Sequence, residues 1–121
     1  MLLLDANSIL RYILYDNAGM AKKVCELIEN TKVSIRYEVL AEVVYVLNKV
    51  YSMPRSEIAE CITKVLRLPN VETESEAVLL LALKTYSDVN MDFVDCLLYA
   101  FNVKYGYGVF TFDKQLNSML S

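Results

Sequence analysis

Histidine is missing from all 121 residues, and so is tryptophan. Without an imidazole there is no Ser-His or Cys-His nucleophile pair, no histidine general base, and none of the commonest zinc ligand. Any catalysis must therefore come from carboxylates. Chain breakers are scarce as well: Gly19, Gly106, Gly108, Pro54 and Pro69 are all there are. That excludes a linker, a low-complexity tract and a glycine-rich phosphate loop, and residues 1–121 read as one domain. The three cysteines, Cys25, Cys61 and Cys96, are odd in number, far apart and set among apolar residues. They fit reduced core packing and exclude both a disulfide framework and a metal knuckle. No apolar run approaches the ~20 residues of a membrane span, and Asp5 interrupts the greasy start too early for a signal peptide. A cytosolic location without a membrane partner is the expectation. Basic residues, 12 against 15 acidic ones, leave a net charge of −3, which weighs against a basic face that grips nucleic acid nonspecifically.

What the chain does have is apolar surface and regular patterning. Hydrophobic residues make up 55% of it, and the surplus points to a covered partner surface, with a homodimer expected. LLLD at the start, KVSIR at 32–36, NVET at 70–73 and GVFTF at 108–112 read as short strands. Between them ANSILRYILY, AKKVCELIEN, YEVLAEVVYVLNKVY, SEIAECITKVL, SEAVLLLALKTY and FVDCLLYAFNVKY carry helical spacing, with Pro54 just before a helix start at Arg55 or Ser56. Alternating strands and helices predict an α/β domain with a mainly parallel central sheet flanked by helices, because parallel strands need crossovers. Ligands of such sheets gather beyond the carboxyl ends of the strands. Asp5 follows the first expected strand and Asp113 the last, so both are expected at one edge of the sheet.

Two more acidic positions sit in apolar helices. Glu38, Glu42, Tyr45 and Lys49 form a narrow polar stripe on one helix, and Asp92, Asp95, Tyr99 and Asn102 share one face of another. Each acid has an ordinary reading beside a functional one. Asp5 or Asn7 caps a helix, Glu42 lies on a solvent stripe, and Asp92 and Asp95 are a cap and a first-turn acid favoured by the helix dipole. As a set they have the chemistry of a divalent-metal site, since Mg²⁺ and Mn²⁺ take oxygen ligands and keep several waters. Without a cation such a cluster repels itself, whereas two ions about 3.5–4 Å apart can activate a water and stabilise the leaving oxygen of a phosphodiester.

DANSILRYIL resembles the opening of PIN-domain proteins, VLAEVVYVL their middle acidic motif, DFVDCLLYA their third motif and TFDKQL their fourth, in order along nearly the whole chain. The resemblance implies a three-layer PIN-like α/β domain, and it is greatest to the VapC-like toxins of type II toxin–antitoxin modules, which are small Mg²⁺- or Mn²⁺-dependent endoribonucleases. It carries Asp5, Glu42, Asp95 and Asp113 over as the acidic quartet that binds metal and catalyses, with Asp92 beside them. Asn7 and Thr111 match polar positions that orient ligands, Thr111 being alternatively a plain strand residue. Ala6 departs from the family, where a threonine is usual, and removes a supporting hydroxyl. The implied partners are an RNA substrate and a cognate antitoxin. Tyr12 and Tyr15, with Ile9 and Ile13 nearby, are candidates for the antitoxin groove or else for ordinary helix packing, and Arg11, Lys22, Lys23 and Arg36 can meet phosphates. Two other readings compete. One is a PIN-like interaction module that does not cleave. The other is a response-regulator receiver, which needs paired acids after the first strand and a lysine after the last, where this chain has Asp5 alone and Asp113.

Overall fold

Side chains of Val33 and Ile35 are fully buried, and so are Leu40, Val43 and Leu47 on the helix that follows. This alternation of period two, then of three to four, places a strand and a helix face against one core. The computed structural model describes residues 1–121. Three strands, β1 (Leu2–Leu3), β2 (Val33–Ile35) and β3 (Val71–Thr73), form one parallel sheet in the order β1-β2-β3. Leu2 stands against Val33 and Leu3 against Ser34, while Val33, Ser34 and Ile35 face Val71, Glu72 and Thr73. The crossover from β1 to β2 carries α1 (Ala6–Leu14) and α2 (Ala18–Asn30), and that from β2 to β3 carries α3 (Tyr37–Lys49) and α4 (Arg55–Leu66). After β3 come α5 (Glu76–Asp88), α6 (Phe93–Tyr105) and a short α7 (Lys114–Met119). The result is the α/β domain with a parallel sheet and flanking helices that the sequence predicts. No helix is long and apolar enough to cross a membrane.

Local chemistry fixes where the helices begin. Asn17 and Ser75 accept from the backbone N–H groups of Met20 and Val78 and cap α2 and α5. Helix α3 has no cap of its own; instead Glu74, at the end of β3, accepts from the Tyr37 N–H at 2.7 Å, and Arg36 bridges Glu38 at 2.7 Å and Glu74 at 3.2 Å. Helix α6 ends on Gly106, whose φ of 69° lies in the left-handed region that glycine enters without a Cβ clash. Asn102, buried near that end, is saturated: its Nδ2 donates to the carbonyls of Tyr107 and Ser121, and its Oδ1 accepts from the Ser121 N–H and hydroxyl.

The expected fourth strand, GVFTF at 108–112, does not form. The segment forms no regular element and pairs with no neighbour. Val109 packs against the core, while Phe110 and Phe112 are 88% and 90% exposed and meet each other edge to face at 5.4 Å. Thr111 is engaged locally: its hydroxyl accepts from the Asp113 N–H at 3.0 Å, and its carbonyl accepts from the Asn117 side chain at 2.8 Å. Short polar side chains that bond their own backbone compete with a ladder in this way, so Thr111 is a turn residue here and the β-branched, aromatic pattern misled. The segment is followed by α7, which no apolar periodicity announces and which is fastened by the fully buried Leu116. Leu116→Ala is expected to cost about 2–5 kcal/mol, read as a lower urea midpoint with an unchanged slope.

Candidate metal centre

Helix α1 starts where it does because Asp5 caps it. Its Oδ1 accepts from both the N–H of Ser8 at 2.8 Å and the Ser8 hydroxyl at 2.7 Å. Those two bonds hold the Asp5 carboxyl below its ordinary pKa and leave Oδ2 without another residue as partner. Asp113 repeats the arrangement at the head of α7, its Oδ1 accepting from the Leu116 N–H at 2.7 Å. The ordinary reading of Asp5 as a cap is thus correct, and a single-oxygen cap is compatible with a free ligand oxygen on the other side.

Helix α6 is built differently. Asp92 is its N-cap residue but makes no side-chain cap bond, and Asp95 follows in the first turn, half-buried and without a hydrogen bond to any residue. Burial raises the Asp95 pKa first of all, and the negative charges of Asp113 and then Asp92 raise it further. Acids from the heads of α6 and α7 are therefore close enough to repel, although 18 positions separate Asp95 from Asp113 in sequence.

Glu42 is exposed on α3. Its level relative to α6 follows from two contacts. Tyr37 meets Phe101 edge to face at 5.4 Å at one end of the helix pair, while Tyr45, Asn48 and Lys49 share a cavity of about 300 Å³ with Asp92 and Phe93 at the other. The helices thus run antiparallel, and Glu42 lies on α3 between these two contacts. Asn7, one residue into α1, is exposed, and Thr111 lies two residues before Asp113, to whose N–H its hydroxyl is bonded.

None of Asp5, Glu42, Asp92, Asp95 and Asp113 is in an ion pair, whereas Asp16, Glu38, Glu60, Glu72, Glu74 and Asp88 all are. As the side chains lie, no three acidic or cysteine groups form a ready cage for an ion. The donor chemistry nevertheless fits a hard divalent cation: the ligands on offer are carboxylate oxygens without cationic partners, and at Asp95 burial and the neighbouring charges of Asp113 and Asp92 already disfavour the ionised form. Cys96 is the cysteine beside these acids, and burial pushes its thiol up to about 12, so it offers no competing soft ligand there.

Other expectations need adjusting. Arg11 is paired with Asp16 at 2.8 Å and Arg36 with Glu38 and Glu74, so neither is idle for phosphates, while Lys22 and Lys23 remain exposed and unpaired. Ile9 is core. Tyr15 is 54% exposed, and Tyr12 and Ile13 line an apolar hollow of about 230 Å³ with Cys61, Val65 and Leu68 of the α4 region. Sequence reasoning gave no tertiary role to Glu74 or Arg55, and it read Asn102 only as part of the polar face of its helix. Glu74 and Arg55 act on elements far away in sequence, and only the helix start at Pro54-Arg55 gave any signal.

A family model for the PIN domain matches residues 2–119 of the chain. No curated protein matches it, and no solved structure does.

The electrostatics predict opposite outcomes for two substitutions in metal-free protein. The folded pKa of Asp95 is raised, so its penalty is present in full above that pKa and is relieved as pH falls through it toward the ordinary value of 3.8. Asp95→Asn should therefore raise the melting temperature at pH 7, with the gain shrinking as pH falls through that window. The folded pKa of Asp5 is lowered, so its contribution is present above 3.8 and is lost as pH falls below that value through the folded pKa. Asp5→Ala removes a cap as well and should cost about 1 kcal/mol at neutral pH, measured by denaturant titration.

Proposed function

Because the chain belongs to the PIN-domain family, a family of nucleases, we propose that it is a Mg²⁺- or Mn²⁺-dependent endoribonuclease and the toxin of a VapBC-type toxin–antitoxin pair. One observation carries the proposal: burial, together with the negative charges of Asp113 and Asp92 from the heads of two different helices, disfavours the charge of Asp95. A fold gains nothing from such crowding unless a cation, a proton or a substrate uses it.

Asp5, Asp95 and Asp113 are the residues that would hold the metal, with Glu42 binding directly or through water and Asp92 at the margin. When bound, a divalent ion supplies a water of lowered pKa and offsets the charge of the phosphodiester oxygens. The chain does the rest. Ser8 keeps the Asp5 carboxylate ionised and oriented, so that Oδ2 is available at any physiological pH. Asp95 is the carboxylate whose repulsion by Asp113 and Asp92 a cation would offset. Thr111 fixes the backbone from which Asp113 projects, and Asn7 is positioned two residues after Asp5 to orient a ligand. No side chain of the cluster is a nucleophile, in keeping with the absence of histidine and the unreactive Cys96. The hollow beside Tyr12 and the exposed Tyr15 are the surface proposed for an antitoxin segment, whose apolar residues would enter between α1 and α4.

In an RNA cleavage assay with MgCl2 or MnCl2, Asp5→Asn and Asp95→Asn should each lose at least about 100-fold in rate, equivalent to about 2.7 kcal/mol of transition-state stabilisation. Divalent cations should also raise the melting temperature of the parent by linkage, and the rise should be smaller for Asp5→Asn. Parent-like cleavage by both variants would sink the residue assignment. A parent that neither cleaves nor responds to metal would leave the interaction module as the better reading.

A further inference from the structure

The acids of α6 are held in place by a residue outside the cluster. Asp92 gives α6 no side-chain cap, so the first turn, with Asp95 in it, is not fixed by its own N-terminal chemistry. Arg55, the first residue of α4, reaches across instead. Its Nε donates to the Tyr86 carbonyl at 2.7 Å, and its Nη2 donates to the carbonyls of Val89, at 3.0 Å, and Met91. The guanidinium also lies 3.6 Å over the centroid of the Tyr86 ring, and Tyr86 meets Phe93, the first residue of α6, edge to face at 5.9 Å. The last turn of α5, the connection through Val89 and Met91, and the start of α6 are thus gathered on one planar group. The Cys96 thiol, reaching back to the Met91 carbonyl at 3.7 Å, ties the first turn of α6 to the same point.

We propose that Arg55 is a positioning residue for the acidic cluster, setting where Asp92 and Asp95 stand and thereby the affinity of the site for a divalent ion. The effect is one of geometry. The charges that act on Asp95 are those of Asp113 and Asp92, with no contribution from Arg55. A lysine cannot replace it, because an ammonium on a flexible stem lacks the planar fork that serves three carbonyls and stacks on a ring at once. Partners that orient ligands from outside typically affect metal affinity ~10–100-fold. The metal half of this inference rests on the nuclease reading; the positioning half does not.

The test uses the whole chain, freed of metal, as parent, Arg55→Lys and Arg55→Met, with Ile28→Val in the core of α2 as a control that lowers stability at a distance. Titration with MnCl2 by calorimetry, at a temperature where all four are folded, should show both Arg55 variants binding at least ~10-fold more weakly and the control binding like the parent. Hydrogen exchange without metal should quicken at the amides of Cys96 and Leu97 in the Arg55 variants more than at Val43 or Leu79. Arg55→Lys, the milder change, keeps the comparison open if Arg55→Met does not fold. Parent-like Mn²⁺ affinity in Arg55→Lys, whatever its melting temperature, overturns the proposal. A parent that binds no Mn²⁺ sinks the nuclease reading instead, and the exchange comparison then decides the positioning role alone, with unchanged rates at Cys96 and Leu97 overturning it.

Discussion

Parallel pairing of β1, β2 and β3 is the constraint from which the rest of the molecule follows. Strands of two or three residues running in the same direction cannot be joined by tight turns, so each must be followed by helices that carry the chain back. All three strands therefore release the chain at one edge of the sheet, where Asp5, Arg36 and Glu74 emerge. The ion pairs of Arg36 with Glu38 and Glu74 occupy part of that edge, and the bond from the Tyr37 N–H to Glu74 fixes where α3 starts. Sheets this small contribute few hydrogen bonds, so the helices must supply most of the buried apolar area, and the core is correspondingly drawn from Ile58, Ile62, Val78, Leu79, Ala82 and Ala100 as much as from strand residues.

Two kinds of acid divide the surface. Those that hold the fold are paired: Glu74 with Arg36 and the Tyr37 N–H, Asp16 with Arg11, Asp88 with Lys84. Those that the PIN resemblance singles out have no cationic partner, and at Asp95 the neighbours are themselves negative. Unpaired acids at exposed positions are common and mean little, but a half-buried acid held beside two like charges is a cost that the protein retains. The dual use of Asp5 and Asp113, each spending one oxygen on a helix and keeping the other, shows how a residue can be both structural and available.

Periodicity made the six long helices legible, because each buries one continuous apolar face, and apolar or β-branched composition marked β1 to β3, although both residues of β1 are exposed. The acids were singled out by their order along the chain, not by any local signal; the ordinary reading as a cap holds at Asp5, whereas Asp92 makes no side-chain cap bond and the cap made by Asp113 was not foreseen. Three things were hidden. GVFTF has strand composition, yet its Thr111 bonds within its own turn, and composition does not say which backbone partner wins. Helix α7, with Leu116 as its one buried residue, is too short for a period to register. Arg55 and Glu74 bond across the fold to carbonyls and an N–H at separations of 31 to 37 residues, and no spacing rule reaches that far.

The saturated amide of Asn102 ties the end of α6 to both Tyr107 and Ser121. Everything from Gly106 to Ser121, including α7 and Asp113, is consequently fastened by that amide and by the packing of Val109, Leu116, Met119 and Leu120, with no ladder joining it to the sheet. Segments fastened by side chains alone can open below the free energy of global unfolding. The carboxylate at residue 113 therefore depends on side-chain packing for its place, where Asp5 follows a paired strand.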